Sequence, residues 1–237
     1  MKIIASNFKT NHTRKTTREF VEDLDNYIKD NEVKNDVFIF PSATALDNFD
    51  TQSNLNIGAQ NGYFVKNGSF TGEIGSDQID EFGIKTILIG HSERRHIIHE
   101  SQNEIAKKFN FYKALGYTII YCVGEPLSVK EQGITQTLGY IFEQLNGIDL
   151  EYEKLIVAYE PVWAIGTGVV ATAEDIAVIH KKLKKKITKP ILYGGSVKPE
   201  NLDEILKIDN VDGTLIGTSS WDVESFKKMI DITKNNS

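Results

Sequence analysis

The sequence predicts one α/β domain over residues 1–237, a closed (β/α)8 barrel of eight parallel strands with outer helices. Two observations carry that expectation. Eight short apolar runs alternate with amphipathic stretches, the signature of parallel strands joined by crossover helices. The length suits a single barrel, and no linker-like stretch divides it.

The apolar runs are Ile3 to Ala5, Val37 to Phe40, Leu55 to Gly58, Thr86 to Ile89, Thr118 to Tyr121, Leu155 to Ala158, Ile191 to Tyr193 and Val211 to Ile216. Helical periodicity marks Thr16 to Lys29, Glu104 to Leu115, Ser128 to Leu145, Thr172 to Ile187, Glu200 to Ile208 and Val223 to Ile230. Ser101 or Glu100 announces the helix after strand four. Thr172 with Asp175 reads as a capping box, and Pro199 suits a first helical position. Helices after strands two and three are weakly signalled, and Lys234 to Ser237 reads as a disordered tail. The polar, aromatic-studded segment Asn61 to Asp77 is long for a connection in a compact domain, which points to a functional loop.

Composition narrows the functional classes. Hydrophobic content of 40% with 25% charged residues suits a soluble globular core. A net charge of −6 argues against nucleic acid, and no run is long enough for a signal peptide or membrane span. Cytoplasmic location is expected. The single cysteine, Cys122, excludes an intrachain disulfide and reads as core packing. The lysine-rich stretch Lys181 to Lys186 falls late in a helix, where cations complement the dipole, and reads as a solvated face.

In a barrel, chemistry gathers just past the C-terminal ends of the strands. Those positions carry Asn7-Phe8-Lys9, Gly90-His91-Ser92-Glu93-Arg94-Arg95, Gly124-Glu125, Glu160, Gly194-Gly195-Ser196 and Gly217-Thr218-Ser219. Pro161 cannot continue a ladder, so Glu160 closes strand six, and from that position alone it could be a base or a structural acid. The segment Val162 to Ala171 combines apolar residues that exclude water with glycines that let backbone N–H groups approach an anion, as a lid does. Gly166-Thr167-Gly168 does not serve a dinucleotide. It follows the strand too late, and no Asp or Glu lies between Ile176 and Pro199 to hold a ribose. Glycine-rich turns after strands seven and eight present converging N–H groups to a phosphate. A base (Glu160), an imidazole electrophile (His91), a fixed cation (Lys9) and a phosphate cradle suit proton abstraction beside a carbonyl, which needs no cofactor. His96 and His99 could share a helix face as metal ligands, but no third ligand is evident.

The motifs Asn7-Phe8-Lys9, Gly90 to Arg95, Tyr159 to Gly168 and Tyr193 to Val197 together resemble the triosephosphate isomerases, in order and over nearly the whole chain. The resemblance implies a TIM barrel that interconverts dihydroxyacetone phosphate and glyceraldehyde 3-phosphate through an enediolate. By that resemblance Glu160 carries the proton and His91, kept neutral as in the family, polarises the carbonyl. Lys9 holds the oxyanion, Asn7 helps to position it and Glu93 pairs with Lys9. Backbone N–H groups of Gly166, Ser196, Gly217 and Thr218 hold the phosphate. The family also assigns the tip Phe70-Thr71-Gly72-Glu73 of the Asn61 to Asp77 loop to a partner's active site, and so a homodimer. Five positions depart from the usual pattern: Phe8 for Trp, His99 for Gly, Val169-Val170 for Lys-Thr, and Thr218 for a second Gly, which is strained if the position needs positive φ. Another phosphosugar enzyme on the same barrel and a catalytically silent scaffold are the alternatives.

Overall fold

The computed structural model describes residues 1–165 and 170–236. Gly166 and Val169, expected to contact phosphate and to form a hinge, lie outside the described residues.

Eight strands form the barrel: β1 (Ile3–Asn7), β2 (Asp36–Phe40), β3 (Leu55–Ile57), β4 (Thr86–Ile89), β5 (Thr118–Val123), β6 (Leu155–Tyr159), β7 (Ile191–Tyr193) and β8 (Gly213–Ile216). All pairings are parallel, in the order β3-β2-β1-β8-β7-β6-β5-β4. The ring closes just beyond β3, where Ala59 bridges to Ile87. Its N–H donates to the Thr86 carbonyl at 2.9 Å, and its own carbonyl accepts from the Leu88 N–H at 2.8 Å.

The helices are α1 (Arg14–Asp30), α2 (Ser76–Asp80), α3 (Ser92–His96), α4 (Gln102–Ala114), α5 (Leu127–Lys130), α6 (Ile134–Glu143), α7 (Ala173–Leu183), α8 (Pro199–Leu206) and α9 (Val223–Asn235). Ser101 with Glu104 and Thr172 with Asp175 form reciprocal capping boxes, and Pro199 opens α8. Three expectations need correction. The helix expected over Ser128 to Leu145 is two, because Gly133 takes a left-handed φ of 97° and breaks the hydrogen-bond ladder between α5 and α6. The helix expected to reach Ile187 ends at Leu183. The tail is ordered further than its polarity suggests: α9 runs to Asn235, Lys234 donates to the Asn31 carbonyl at 2.9 Å, and Asn236 donates to Asp203 at 3.0 Å.

Strand pleating sorts side chains into two sets. Ile3 and Ala5 of β1, Ile156 and Ala158 of β6 and Leu192 of β7 belong to one buried cluster, the barrel interior. Their chain neighbours Ile4, Val157 and Ile191 pack outward with the helices. One more step along the same alternation puts Asn7, Gly124, Glu160, Gly194 and Gly217 in the uppermost interior layer. Three of those five positions lack a side chain, and this leaves the room that the other two use.

On the outward set, His180 of α7 is fully buried, with its ring centroid 5.8 Å from that of Tyr159 and 6.4 Å from that of Tyr193. Burial lowers its pKa to about 4, from which the Asn210 carbonyl at Nδ1 only partly lifts it. A histidine held neutral in the fold favours unfolding once it must charge. Its contribution is therefore complete above the unfolded value of 6.5 and is lost as pH falls from there towards 4. Chemical denaturation at pH 7 and pH 5 should show the wild type losing about 2 kcal/mol more stability over that interval than His180→Gln.

Candidate active site

Each candidate side chain is placed by a local device. At the end of β4, Gly90 adopts a φ of 77°, and a Cβ there would stand 2.6 Å from the Arg95 guanidinium. That guanidinium donates to the Gly90 carbonyl at 2.7 Å and to the Cys122 carbonyl at 3.0 Å, clamping the ends of β4 and β5 together. The turn delivers His91 to the N-cap of α3, where Nδ1 accepts from the Glu93 N–H at 3.2 Å. An N–H donor requires a bare acceptor, so the neutral ring carries its proton on Nε2. Nε2 lies 3.1 Å from Glu160 Oε1.

Glu160 is buried at the end of β6, and its Oε2 accepts from the Ser92 N–H at 3.0 Å. Burial pushes its pKa up, but His91, the Ser92 N–H and Lys9 together outweigh burial and hold it below the usual glutamate value. For His91 burial works downward and the Glu160 carboxylate upward, with a net rise. The Glu93 N–H at Nδ1, which needs a bare nitrogen to donate to, opposes that charge. The carboxylate is thus parked on two donors, ionised and ready to be released.

Lys9 follows β1 with a φ of 51°, a conformation that costs a non-glycine residue about 1–3 kcal/mol. Asn7 Oδ1 accepts from the Lys9 N–H at 3.0 Å, and Gln60 donates to both the Lys9 and Phe40 carbonyls at 2.8 Å. So anchored, Lys9 places Nζ 2.8 Å from Glu93 Oε1. Asn7 is held in turn by the Trp221 indole, which donates to its carbonyl at 2.9 Å.

These groups share one cavity of about 310 Å³, lined by Asn7, Lys9, His91, Glu160, Ser196, Gly217 and Thr218 among others. Glu93 stands on the far side of Lys9, facing a neighbouring cavity. Thr218 begins a 3-10 turn, Thr218–Ser220, and is not among the residues of positive φ, so the feared strain is absent. His99, where the family usually has glycine, does take a left-handed φ of 60°. Among the described residues no cluster of three or more His, Cys, Asp or Glu is placed to hold a metal ion.

Three contributors were not assigned a role from sequence. Gln60 sits beyond an ordinary-looking strand, and nothing in its surroundings announces that it tethers Lys9. The Ser92 N–H is a backbone group. Glu125, though noted at the end of strand five, turns out to receive hydrogen bonds from Trp163 at 2.9 Å and Tyr159 at 3.2 Å, which fixes the start of the loop after Glu160.

The chain is similar to known proteins over nearly its whole length. A family model described as triosephosphate isomerase matches residues 2–233. The chain is 52% identical over 233 residues to the triosephosphate isomerase of Sulfurimonas denitrificans, covering 98% of this chain and 96% of that one. It is 54% identical over 228 residues to that of a Sulfurovum species, covering 96% and 99%. For a Nitratiruptor species the figures are 53% over 232 residues, with 98% of each covered.

One substitution tests the layer of glycines. A Cβ on Gly194 would stand 2.9 Å from Glu160 Cγ. Gly194→Ala is expected to push the carboxylate off the Ser92 N–H, seen in a crystal structure as a separation above hydrogen-bonding distance, and to cost about 1–3 kcal/mol of stability.

Proposed function

Because the chain belongs to the triosephosphate isomerase family, we propose that Glu160, His91, Lys9, Asn7 and Glu93 carry out its cofactor-independent interconversion of dihydroxyacetone phosphate and D-glyceraldehyde 3-phosphate. The observation that carries the assignment is the shared cavity in which a carboxylate, an imidazole and an ammonium converge beside two glycine-rich turns.

The substrate's carbonyl oxygen takes the Nε2–H of His91 and the ammonium of Lys9 as its partners. That displaces Glu160 Oε1 from His91, and the carboxylate turns to the adjacent carbon. Glu160 removes a proton from that carbon while the electron pair moves into the new carbon–carbon double bond and the carbonyl oxygen becomes an enediolate oxygen. His91 and Lys9 stabilise the charge as it develops, which is where preorganised donors have most effect. By way of His91 Nε2 the proton of the adjacent hydroxyl passes to the former carbonyl oxygen, Glu160 returns its proton to the former carbonyl carbon, and the oxygen that has lost its proton becomes the new carbonyl, completing aldose–ketose isomerisation. Glu93 keeps Lys9 oriented at 2.8 Å, and Asn7 fixes the Lys9 backbone. Backbone N–H groups of Ser196, Gly217 and Thr218, with that of Gly166 from the loop, hold the phosphate. The reaction serves glycolysis and gluconeogenesis. A cytoplasmic location is supported by that role and by the buried free thiol Cys122.

The Asn61 to Asp77 loop supports a homodimer. It is a pinned projection: Tyr63 donates to the Ile74 carbonyl at 2.7 Å and Ser76 to the Val65 carbonyl at 2.9 Å. Its tip leaves Phe70 43% exposed, and Ile97 and Ile98 at the end of α3 are 71% and 61% exposed. The cavity of about 370 Å³ on the other side of Lys9 and His91, which Ile98 also lines, suits a partner's Thr71 tip.

Glu160→Asp retracts the carboxylate by one methylene and is expected to lower kcat by on the order of 10²-fold with little change in substrate affinity. Near wild-type turnover would remove Glu160 from the base's role. Lys9→Met should lose at least about 10²-fold in kcat/KM while its far-UV spectrum stays folded. In light scattering the wild type should be a dimer, and replacing residues 67–73 by a short turn should give a monomer of greatly reduced activity. A fully active monomer would defeat the cross-subunit assignment.

A further inference from the structure

The ionisable residues lining the active-site cavity are Lys9, His91, Glu160 and Lys198. Lys9 is matched by Glu93 at 2.8 Å, and Glu160 lies against His91 at 3.1 Å. With a neutral imidazole the catalytic groups therefore leave a net negative charge beside the cavity, on a chain whose overall charge is −6. A phosphate dianion approaching this mouth meets repulsion from both. Lys198 is the uncompensated cation there. It is exposed and has no acidic partner among the described residues. Its backbone is fixed at the rim: Asn201 Oδ1 accepts from the Lys198 N–H at 2.8 Å, while Asn201 Nδ2 donates to the carbonyl of Ser196 at 3.1 Å.

We propose that Lys198 is a capture residue, an unpaired ammonium that draws the dianionic substrate to the phosphate end of the cavity and takes no part in the proton transfers. The proposal rests on the isomerase reading above. It follows from the charge arrangement: Lys9 lies deep and is already paired, so its field outside the cavity is largely cancelled by Glu93, whereas a single exposed charge at the rim acts out to a screening length. Capture of this kind raises the association rate and leaves the chemical step alone.

The test is kcat/KM for glyceraldehyde 3-phosphate measured from about 0.01 M salt, where the screening length is about 30 Å, to about 1 M, where it is about 3 Å. Lys198→Met should lower kcat/KM by about threefold to tenfold at low salt and Lys198→Glu by more, the curves converging with wild type at high salt. Its kcat should stay within about twofold of wild type. Lys185→Met, the same change in net charge at the far end of the α7 segment, should leave kcat/KM alone. The proposal is overturned if Lys198→Met follows the wild-type salt dependence, if Lys185→Met lowers kcat/KM equally, or if kcat falls as far as kcat/KM. Failure of the wild type itself to turn over glyceraldehyde 3-phosphate would instead overturn the isomerase reading.

Discussion

The alternation of a pleated strand in a closed parallel ring governs this molecule. Each strand has one set of side chains that can only face the helices and one that can only face its counterparts across the barrel. Where the interior set runs out at the C-terminal rim, the positions it would occupy become a site. Ala5 and Ala158 are small apolar members of that set, and two residues further along the same parity stand Asn7 and Glu160. Chemistry therefore sits on the same register as the core beneath it, and Cys122, whose thiol is pushed well above its usual pKa by burial and then by Glu160, is part of that floor.

Electrostatics then divides the labour. A buried carboxylate would be expected to protonate, yet Glu160 stays ionised because a backbone N–H and an imidazole face its two oxygens. The start of α3 serves both partners, with its Ser92 N–H on Glu160 and its Glu93 N–H on His91. One short helix thus sets the resting place of the Glu160 carboxylate and the tautomer of the neutral His91 ring. The left-handed backbone of Lys9 is the energetic cost of aiming an ammonium into the same space, and Asn7 and Gln60 are what make that conformation persist.

Much of this was legible in the sequence because it obeys local rules. Eight apolar runs, the start of a helix at Ser101, the capping box of Thr172 with Asp175 and Pro199 each depend on nearby residues alone, and all recur in the fold. Pro161 marked Glu160 as a strand end for a similarly local reason. What escaped depends on distant contacts or on backbone atoms. Gly133 looked like one more residue in a helical stretch until its φ split the helix. The tail looked disordered because its polarity is local, whereas its anchors, Asn31 and Asp203, come from elsewhere in the chain. Gln60 carries no motif at all, since its partner carbonyls, Phe40 at the end of β2 and Lys9 just after β1, come near only through the pairing of β3 with β2 and of β2 with β1.

The closure itself is thin. Seven neighbouring pairs of strands are joined by regular ladders, but among the described residues β3 meets β4 only through the two hydrogen bonds of Ala59. Fluctuations of the ring concentrate where the fewest bonds resist them. The very next residue after that bridge is Gln60, the tether of Lys9. The seam is therefore joined to the backbone of Lys9 by one peptide unit and one side-chain hydrogen bond, so that any loosening of this line reaches the base of that ammonium first.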